Sequence, residues 1–356
     1  MTAIVSGTSG LSLDGVVDSP YAGMTNRIIN GGFQLAQRGT SFTSGSNNDD
    51  TYNLDRWYVL SDGNDIVDIT QTPTVPTNAA KNSIGLDVET VNKKFGIAQI
   101  IENVNCVDAI GGAVTLSFQA KVSATTQLDN VKCAIVAWSG TADTVTSDII
   151  SAWGVEGTNP TLIANATYEN SPANLNVTTS FATYSVTATV DTASTTNIIL
   201  FIWSDVTTTT LGDFLFITNV QLEKGSTASS FDYRSIGTEL ALCQRYACSS
   251  FPSGTAWGQN AGTTGAFSYI ALVSGTAAGF GVSMPFPVVM RASPTFTYYN
   301  PSAANDKWRN TVANADSASG AAVQIRTWGS QVTNYQVAGD TASQTCQVHW
   351  SASAEL

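Results

Sequence analysis

The sequence is poor in charged residues, in histidine and in long apolar runs. Only 12% of its 356 residues are charged, roughly half the usual share for a globular protein. Its 15 Lys and Arg residues against 27 Asp and Glu residues leave a net charge of −12. No basic cluster offsets this charge, so binding to nucleic-acid phosphates is disfavoured. The longest apolar run, residues 198–203, is far too short to cross a membrane.

Residues that carry catalysis or bind metals are also scarce. His349 is the single histidine, and it lies in a predicted strand without a nucleophile motif, which favours a structural role. The Asp-rich stretch around Trp57 lacks the spacing of a calcium loop, and the glycines after Asn30 do not form a phosphate-binding loop. The sequence therefore predicts no enzyme, no cofactor and no metal site.

The cysteines are odd in number and have no metal-ligand spacing. The first ten residues lack the basic and apolar regions of a secretion signal. We therefore expect the cysteines to be reduced and buried in a protein that folds in a cytoplasm. They are Cys106, Cys133, Cys243, Cys248 and Cys346.

What the chain does contain is Thr, Ser, Ala, Val, Asn and Gly, which favour short strands and turns. Apolar residues alternate in residues 114–122, 131–137 and 184–190, and residues 197–203 form a strand that we expect to be buried on both faces. Hydrophobic residues make up 43% of the chain, enough for real cores. The pattern predicts an all-β protein built as a sandwich or jelly roll.

Two longer stretches complete the strand pattern. The polar insertion of residues 139–180 is expected to form loops at one edge of the sheet. A second set of strands follows later in the chain, and its stretch with several prolines suits an edge or a connector. The predicted strands of this set are residues 267–273, 281–284, 295–299, 323–328 and 344–350.

The strand from Phe214 to Leu222 ends the first set of strands. Phe214 and Phe216 are expected to face the same side as Val220 and Leu222, with one irregularity at Thr218-Asn219.

A short helix follows this strand and separates the two sets. Ile236, Leu240 and Cys243 recur at helical spacing, and Thr238 is a candidate N-cap. We expect the apolar face of this helix, with Leu240, Cys243 and Tyr246, to join three copies around a threefold axis. If the helix instead packs wholly against its own chain, trimerisation is assigned to the N-terminal segment.

Aromatic residues are the strongest candidates for ligand binding. Trp57 and Trp203 lie in strand patterns and are predicted to be core residues. Other rings stand beside Gly, Asn, Asp and Arg, where an exposed ring could stack on a sugar and neighbouring amides could bind its hydroxyls. For any single ring, core packing is the competing interpretation. The candidates for glycan binding are Trp257, Tyr299, Asn305, Asp306, Trp308 and Trp328.

Several motifs resemble those of a known protein family. NRIINGGFQLAQRGTSF (residues 26–42) and YNLDRWYV (residues 52–59) resemble the opening of phage tail-fibre and related receptor-binding virion proteins. FITNVQLEKGSTASSFDYRSIGTELALCQRY (residues 216–246) resembles the closing element of the same module. FPVVMRASPTFTYYNPSAAND (residues 286–306) and HWSASAEL (residues 349–356) resemble the terminal segment.

This resemblance implies a jelly-roll β-sandwich like that of carbohydrate-binding modules, a short connecting helix and a second C-terminal β-sandwich domain. The corresponding segments are residues 1–25, an attachment or trimerisation arm; 26–232, the jelly roll; 233–250, the helix; and 251–356, a candidate receptor-binding tip. Many such modules hold a structural calcium, but here Gly32 and Asn219 stand where acidic residues are often found.

The resemblance also implies a function and a location. It suggests a homotrimeric tail fibre of a phage virion, folded in the host cytoplasm, which binds host surface glycan without cleaving it and contacts other tail or baseplate proteins through residues 1–25. The alternatives are a capsid-decorating or purely structural virion protein and, third, a glycan-depolymerising tailspike, for which the sequence offers only scattered carboxylates.

Overall fold

The computed structural model describes residues 24–77, 80–270, 280–305, 307–316, 324–328, 332–337 and 344–356, and three short strands near the start of the chain. These three strands form an antiparallel sheet. They are β1 (Ile4–Ser6), β2 (Gly10–Leu13) and β3 (Val16–Asp18).

Thirteen further strands build two facing antiparallel sheets and a small hairpin. They are β4 (Ser41–Phe42), β5 (Tyr58–Ser61), β6 (Val67–Thr72), β7 (Ser83–Val88), β8 (Phe95–Ile101), β9 (Ala113–Val122), β10 (Val131–Trp138), β11 (Ile150–Ala152), β12 (Thr161–Leu162), β13 (Ala166–Tyr168), β14 (Ala182–Thr189), β15 (Asn197–Ser204) and β16 (Phe214–Lys224). The first sheet has the order β13-β10-β15-β8-β5, the second has the order β14-β9-β16-β7-β6-β4, and β11 pairs with β12. The predicted all-β sandwich is confirmed.

The main core lies between the two sheets. In β9, Leu116 and Phe118 are buried in this core, while Ser117 and Gln119 alternate with them on the outer face. This is the period of two that the sequence shows, because successive side chains of a strand point to opposite sides. Each fully buried large apolar side chain of this core stabilises the fold by about 1.5–3 kcal/mol.

Strand β15 is buried on both faces, as its unbroken apolar run predicts. Ile198 and Leu200 pack in the core between the sheets, whereas Ile199, Phe201 and Trp203 pack in a second core on the outer side of the first sheet. Both faces of a central strand must be covered for such a run to be stable in water.

The cover of the second core corrects one expectation. Residues 139–180 do not simply form loops at an edge, because Ile149 and Trp153 pack on the outer face of the first sheet and β13 extends that sheet. Buried Lys94 fastens this insertion, since its Nζ donates to the carbonyl oxygen of Val155 at 2.8 Å and pairs with Asp205 at 2.5 Å. The apolar residues scattered through this polar segment are enough to cover the second core.

Strand β16 contains the predicted irregularity. The side chains before it, however, face the side opposite to the one predicted. Thr218 pairs with Gln119 and Gln221 pairs with Ser117, so one extra residue is inserted between them. A β-bulge of this kind moves the side chains that follow to the other face. Leu215 and Ile217 therefore fill the core before the bulge, and the expected Phe214 and Phe216 lie partly exposed on the outer face.

Helix α1 (Ile236–Gln244) follows, and Ser235 rather than Thr238 is its N-cap, because the Ser235 Oγ accepts from the backbone N–H of Thr238 at 3.4 Å. An oxygen at this position satisfies one of the free N–H groups of the first turn. The helix spans nine residues, and none of the helices within the described ranges is long and apolar enough to cross a membrane.

The helix packs against its own chain, which corrects its expected role. Cys243 and Tyr246 are each 1% exposed and pack with Ile29 and Leu35 in a small separate core. Leu240 is partly buried at the edge of the same core. Cys243 and Tyr246 are covered within one chain and Leu240 is covered in part, which favours the alternative stated above, trimerisation through residues 1–25; this stays a prediction.

A separate C-terminal sheet is organised around its last strand. The strands after the helix are β17 (Ala247–Ser249), β18 (Phe267–Ile270), β19 (Phe280–Pro285), β20 (Thr295–Tyr299), β21 (Arg309–Asn310), β22 (Ala315–Asp316), β23 (Gln324–Trp328), β24 (Val332–Val337) and β25 (Thr345–Ser353). Strand β25 pairs with β17, β18, β20 and β21, and β19-β24-β23 form another sheet. The sheet begins at β17, inside the segment expected to be only a connecting helix.

Residues 354–356 dock this C-terminal part onto the sandwich. The carboxylate of Glu355 binds Arg38 at 2.9 Å and also pairs with the buried guanidinium of Arg56. The hydroxyl of Tyr52 donates to the carbonyl oxygen of Leu356 at 2.7 Å, and the Leu356 side chain packs in the second core.

Candidate functional site

The motifs that carry the family resemblance hold the fold together. A Cβ atom at Gly31 would lie 2.0 Å from the carbonyl oxygen of Val220, so only glycine fits where the NGGF motif crosses the bulge of β16. Asn30 has a φ of 57° and exchanges hydrogen bonds with the backbone of Leu35 at 3.0 Å in each direction. The indole N–H of Trp57 donates to the carbonyl oxygen of Asn30 at 3.0 Å.

The other motif residues meet at the junction of the sandwich, the helix and the C-terminal sheet. The backbone N–H of Gln37 donates to the Asp55 carboxylate at 2.6 Å. The guanidinium of Arg56 lies 3.6 Å from the centre of the Tyr246 ring, and the Tyr246 hydroxyl donates to Glu102 at 2.8 Å. All five side chains are buried, which assigns these five residues to structure rather than to ligand binding.

The rings predicted to bind a ligand are scattered in the C-terminal part. Trp257 is partly exposed, and the guanidinium carbon of Arg38 lies 4.7 Å from the centre of its ring. Tyr299 is also partly buried, with its hydroxyl 3.1 Å from the Ser351 Oγ and its ring edge-on to Phe251.

The prediction that Trp308 binds glycan is wrong, because this residue is 1% exposed and packs edge-on to Phe267 in the core of the C-terminal sheet. Its ring cannot stack on a sugar there. Asp306 and the side chain of Trp328 lie outside the described residues. Asn305 belongs to a loop network in which its amide donates to Asp316 at 2.8 Å and its oxygen accepts from Asn300 at 2.9 Å.

His349 is a structural residue, as predicted. Its Nε2–H donates to the carbonyl oxygen of Gly262 at 2.9 Å, so its Nδ1 accepts from the Ser250 hydroxyl at 3.0 Å. The ring is stacked on Phe251. Burial lowers the pKa of His349, and the hydrogen bond to Gly262 offsets part of this effect. Both ring nitrogens therefore make hydrogen bonds within the protein.

The acidic residues around Trp57 do not form a metal site. Within the part of the chain that the structure describes, no group of three or more His, Cys, Asp or Glu residues is arranged to hold a metal ion. Asp65 and Asp68 instead accept hydrogen bonds from the Asn47 amide at 2.8 and 3.0 Å. Burial, with the nearby charges of Asp49 and Asp148, raises the pKa of Asp50 to about 7.

A groove of 340 Å³ lies on the outer face of the second sheet, within the ~300–1,000 Å³ typical of small-ligand sites. Its floor is formed by β9, β14 and the bulge of β16, and its wall is the segment that follows β16. None of the residues around the groove is charged. They are Ser117, Phe118, Gln119, Thr183, Asn219, Ser229, Ser230, Phe231 and Tyr233.

Hydrogen bonds fix the wall of the groove to the sheet. The carboxylate of Glu223 accepts from the backbone N–H and the hydroxyl of Ser229, each at 2.7 Å. The backbone N–H of Asp232 donates to the Gln221 side chain at 2.8 Å. The segment that carries the groove's aromatic residues is thus held before any ligand binds, which lowers the entropic cost of binding.

Two aromatic rings stand at the groove. Phe231 packs over Gly31 and Gly32, where added Cβ atoms would lie 3.4 and 3.7 Å from its ring. Tyr233 is 51% exposed, and its ring is edge-on to Phe231 with 4.8 Å between the ring centres. The groove therefore has one ring packed against the two glycines and a second ring that is half exposed to solvent.

Asn219 connects the rings to the floor of the groove. It has a φ of 51° at the bulge and is 7% exposed. Its amide N–H₂ group donates to the Gln119 oxygen at 2.8 Å and to the Tyr233 hydroxyl at 3.3 Å. Its Oδ1 accepts no hydrogen bond from the described residues. A buried acceptor without a partner is costly in a folded protein, and a ligand hydroxyl that reached this atom would offset that cost.

Sequence reasoning missed this groove and its residues. The alternation in residues 114–122 places Ser117 and Gln119 on an outer face, and the SSFDY stretch after β16 supplies the rings. Nothing in the local pattern indicates that these two stretches meet, since Gln119 and Asn219 are 100 positions apart.

Comparisons with known proteins give distant structural likenesses only. No family model matches the chain, and no curated protein matches it. Among solved structures, the enzymatically active domain of tailspike protein 4 of bacteriophage CBA120 is 19% identical with a TM-score of 0.34, over 58% of this chain and 22% of that chain. This chain thus spans only about a fifth of that relative.

Two sugar-binding proteins show the same level of likeness. TmCBM61, solved in complex with β-1,4-galactotriose, is 14% identical with a TM-score of 0.30, over 56% of this chain and 99% of that chain. A putative sugar binding protein from Bacteroides thetaiotaomicron is 15% identical with a TM-score of 0.34, over 56% and 100% of the two chains. At these values the function of this chain has to be argued from its own side chains.

Proposed function

We propose that this protein is a non-enzymatic glycan-binding protein, and that its groove on the second sheet is the binding site. The observation that carries the proposal is the uncharged groove in which two aromatic rings stand beside an amide with a free acceptor. Aromatic rings stack on the apolar faces of sugars, and amides and hydroxyls bind the sugar hydroxyl groups.

The wider role combines this site with the family resemblance of the sequence. We infer a phage tail fibre that uses the groove to adsorb to host surface glycan, with trimerisation and attachment to other virion proteins through residues 1–25. In a trimer, three weak sites would act together and raise the apparent affinity through effective concentration.

The groove is tested by replacing its most exposed ring. Wild-type protein should bind a subset of glycans on an array of bacterial surface polysaccharides, and Tyr233→Ala should weaken binding to them by about tenfold, since stacking contacts are worth about 1 kcal/mol or more. Affinities of the array hits are measured by isothermal titration calorimetry.

Ile236→Ala is the matched control, because Ile236 is 54% exposed, stands three positions away and does not line the groove. This variant should bind like the wild type. Absence of any glycan binding by the wild type contradicts the proposed function, and equal binding by Tyr233→Ala contradicts the placement of the site. Shortened oligosaccharides after incubation with a bound glycan would contradict the non-enzymatic assignment.

The location in the virion needs a separate measurement. Electron microscopy of virions labelled with an antibody against this chain should show label on the tail. Label on the head would contradict the fibre assignment and favour a capsid-decorating protein.

A further inference from the structure

The outer face of the second sheet has a cationic feature beside the groove. The Nζ atom of Lys121 lies 5.3 Å from the ring centre of Phe181 and 5.1 Å from that of Phe216. All three side chains are partly exposed. Two rings on either side of an ammonium group hold it by cation–π attraction, so the position of this charge is fixed at the surface.

Phe216, one of the two rings beside Lys121, belongs to a stacked pair of partly exposed aromatic side chains. Phe214 and Phe216 are stacked, with 5.2 Å between ring centres and 4° between ring planes. Phe216 extends over Gly85, where an added Cβ would lie 3.3 Å from its ring. Glycine at this position lets the ring lie close to the sheet. Partly exposed rings of this kind can contact the apolar face of a sugar.

A second hollow, of 350 Å³, opens where Lys121 meets Phe181. Pro76 and Thr179 also line it. Lys121 takes part in none of the ion pairs between described residues. Its positive charge is therefore not neutralised by an ion pair with any carboxylate that the structure describes.

The hollow and the groove lie on one continuous face. Gln119 at the groove and Lys121 at the hollow are alternate residues of β9, so they point to the same side and are about 6.6–6.8 Å apart along the strand. An oligosaccharide lying along this strand can reach both at once. In that arrangement the groove binds a neutral sugar residue, and Lys121 can reach the adjacent sugar residue.

The charges nearby limit how an anionic ligand can lie. Asp87 is paired with Phe214 in the sheet, and Asp68 is paired with Asp87. Burial and the charges of Glu89 and Asp68 raise the pKa of Asp87 to about 6. This cluster repels an anion beyond Phe214, so an acidic glycan has to extend from Lys121 toward Gln119 and the groove.

We propose that Lys121, held between Phe181 and Phe216, binds the carboxylate of an acidic sugar residue next to the residue that occupies the groove. The inference rests on the proposed function and narrows its ligand to acidic, carboxylate-bearing glycans. On a protein with a net charge of −12, such a ligand needs a local cation to offset the general repulsion.

The test combines a change in the ligand with a change in the protein. The probes are the carboxylate-bearing polysaccharides that bind on the array, each compared with its carboxyl-reduced form. Carboxyl reduction and Lys121→Gln should each weaken binding by about tenfold or more, because a hydrogen bond to a charged group is strong. Raised salt should weaken wild-type binding.

Two variants control for the charge change. Lys121→Arg keeps the cation, and its affinity should stay within about threefold of the wild-type value. Lys224→Gln removes an exposed charge at the other end of β16 and should leave the affinity unchanged. Lys121→Gln should melt at the wild-type temperature. The carboxyl-reduced ligands test the proposal on the unmodified protein, whatever the variants do.

Three results would overturn the inference. These are array hits confined to neutral glycans, equal binding of native and carboxyl-reduced forms, or unchanged binding by a folded Lys121→Gln protein. In each case sensitivity to Tyr233→Ala would leave the groove and the proposed function standing. Absence of all glycan binding would overturn both.

Discussion

Gly31 and Gly32 are adjacent but stand in very different surroundings. The space for a side chain at Gly31 is filled by the backbone of Val220, whereas at Gly32 the nearest atom to an added Cβ is in the flexible Gln34 side chain, 3.6 Å away. The backbone N–H of Val220 also donates to the Gly31 carbonyl oxygen at 2.9 Å. This contact joins the start of the sandwich to the bulge that shapes the groove.

Gly31→Ala should therefore destabilise the protein by about 3 kcal/mol or more, since the backbone of β16 has to move. Gly32→Ala is the matched control and should cost less than about 1 kcal/mol. The free energy of unfolding, measured with urea, checks both. If both substitutions lowered the free energy of unfolding by the same small amount, the backbone at Val220 would not lie as close to Gly31 as described.

At the scale of whole elements, the sequence predicts most where a strand is regular. The alternation in β9 and the apolar run in β15 gave the correct faces, because local period decides which side chains are buried. The faces of Phe214 and Phe216 could not be predicted without placing the bulge, since one extra residue reverses all side chains before it. The groove depends on contacts between β9 and the segment after β16. Local sequence patterns do not indicate contacts between such distant parts of the chain, so the groove could not be predicted.

Residues 354–356 act as one element that holds the C-terminal sheet to the sandwich. Glu355→Gln should destabilise the protein by about 3–5 kcal/mol, because it leaves the buried guanidinium of Arg56 without its counter-ion. Chemical denaturation measures the loss.

Asp108→Asn is the control for the Glu355 variant. It breaks the ion pair with Arg27, in which the two side chains are 30% and 49% exposed, so it should cost less than about 1 kcal/mol. A Glu355→Gln protein as stable as this control would show that the buried pair contributes little.

For the whole molecule, the same motifs supply residues that join the parts of the fold and residues that line the groove. Several residues of the motifs that resemble phage fibre proteins are buried at the junction of sandwich, helix and C-terminal sheet, and Arg56 and Tyr246 are among them. Other residues of the same motifs, among them Asn219, Phe231 and Tyr233, line the groove that we propose as the binding site. A trimer, a tail location and docking through residues 1–25 stay predictions of the sequence.

The central claim is that glycan binds at the groove of the second sheet. The most direct measurement is a crystal structure of the protein with the oligosaccharide that binds best on the array. We predict density for a sugar ring against Tyr233 and Phe231, with a hydroxyl bound to Oδ1 of Asn219. Sugar bound at Trp257 and Tyr299 instead, with an empty groove, would contradict the account.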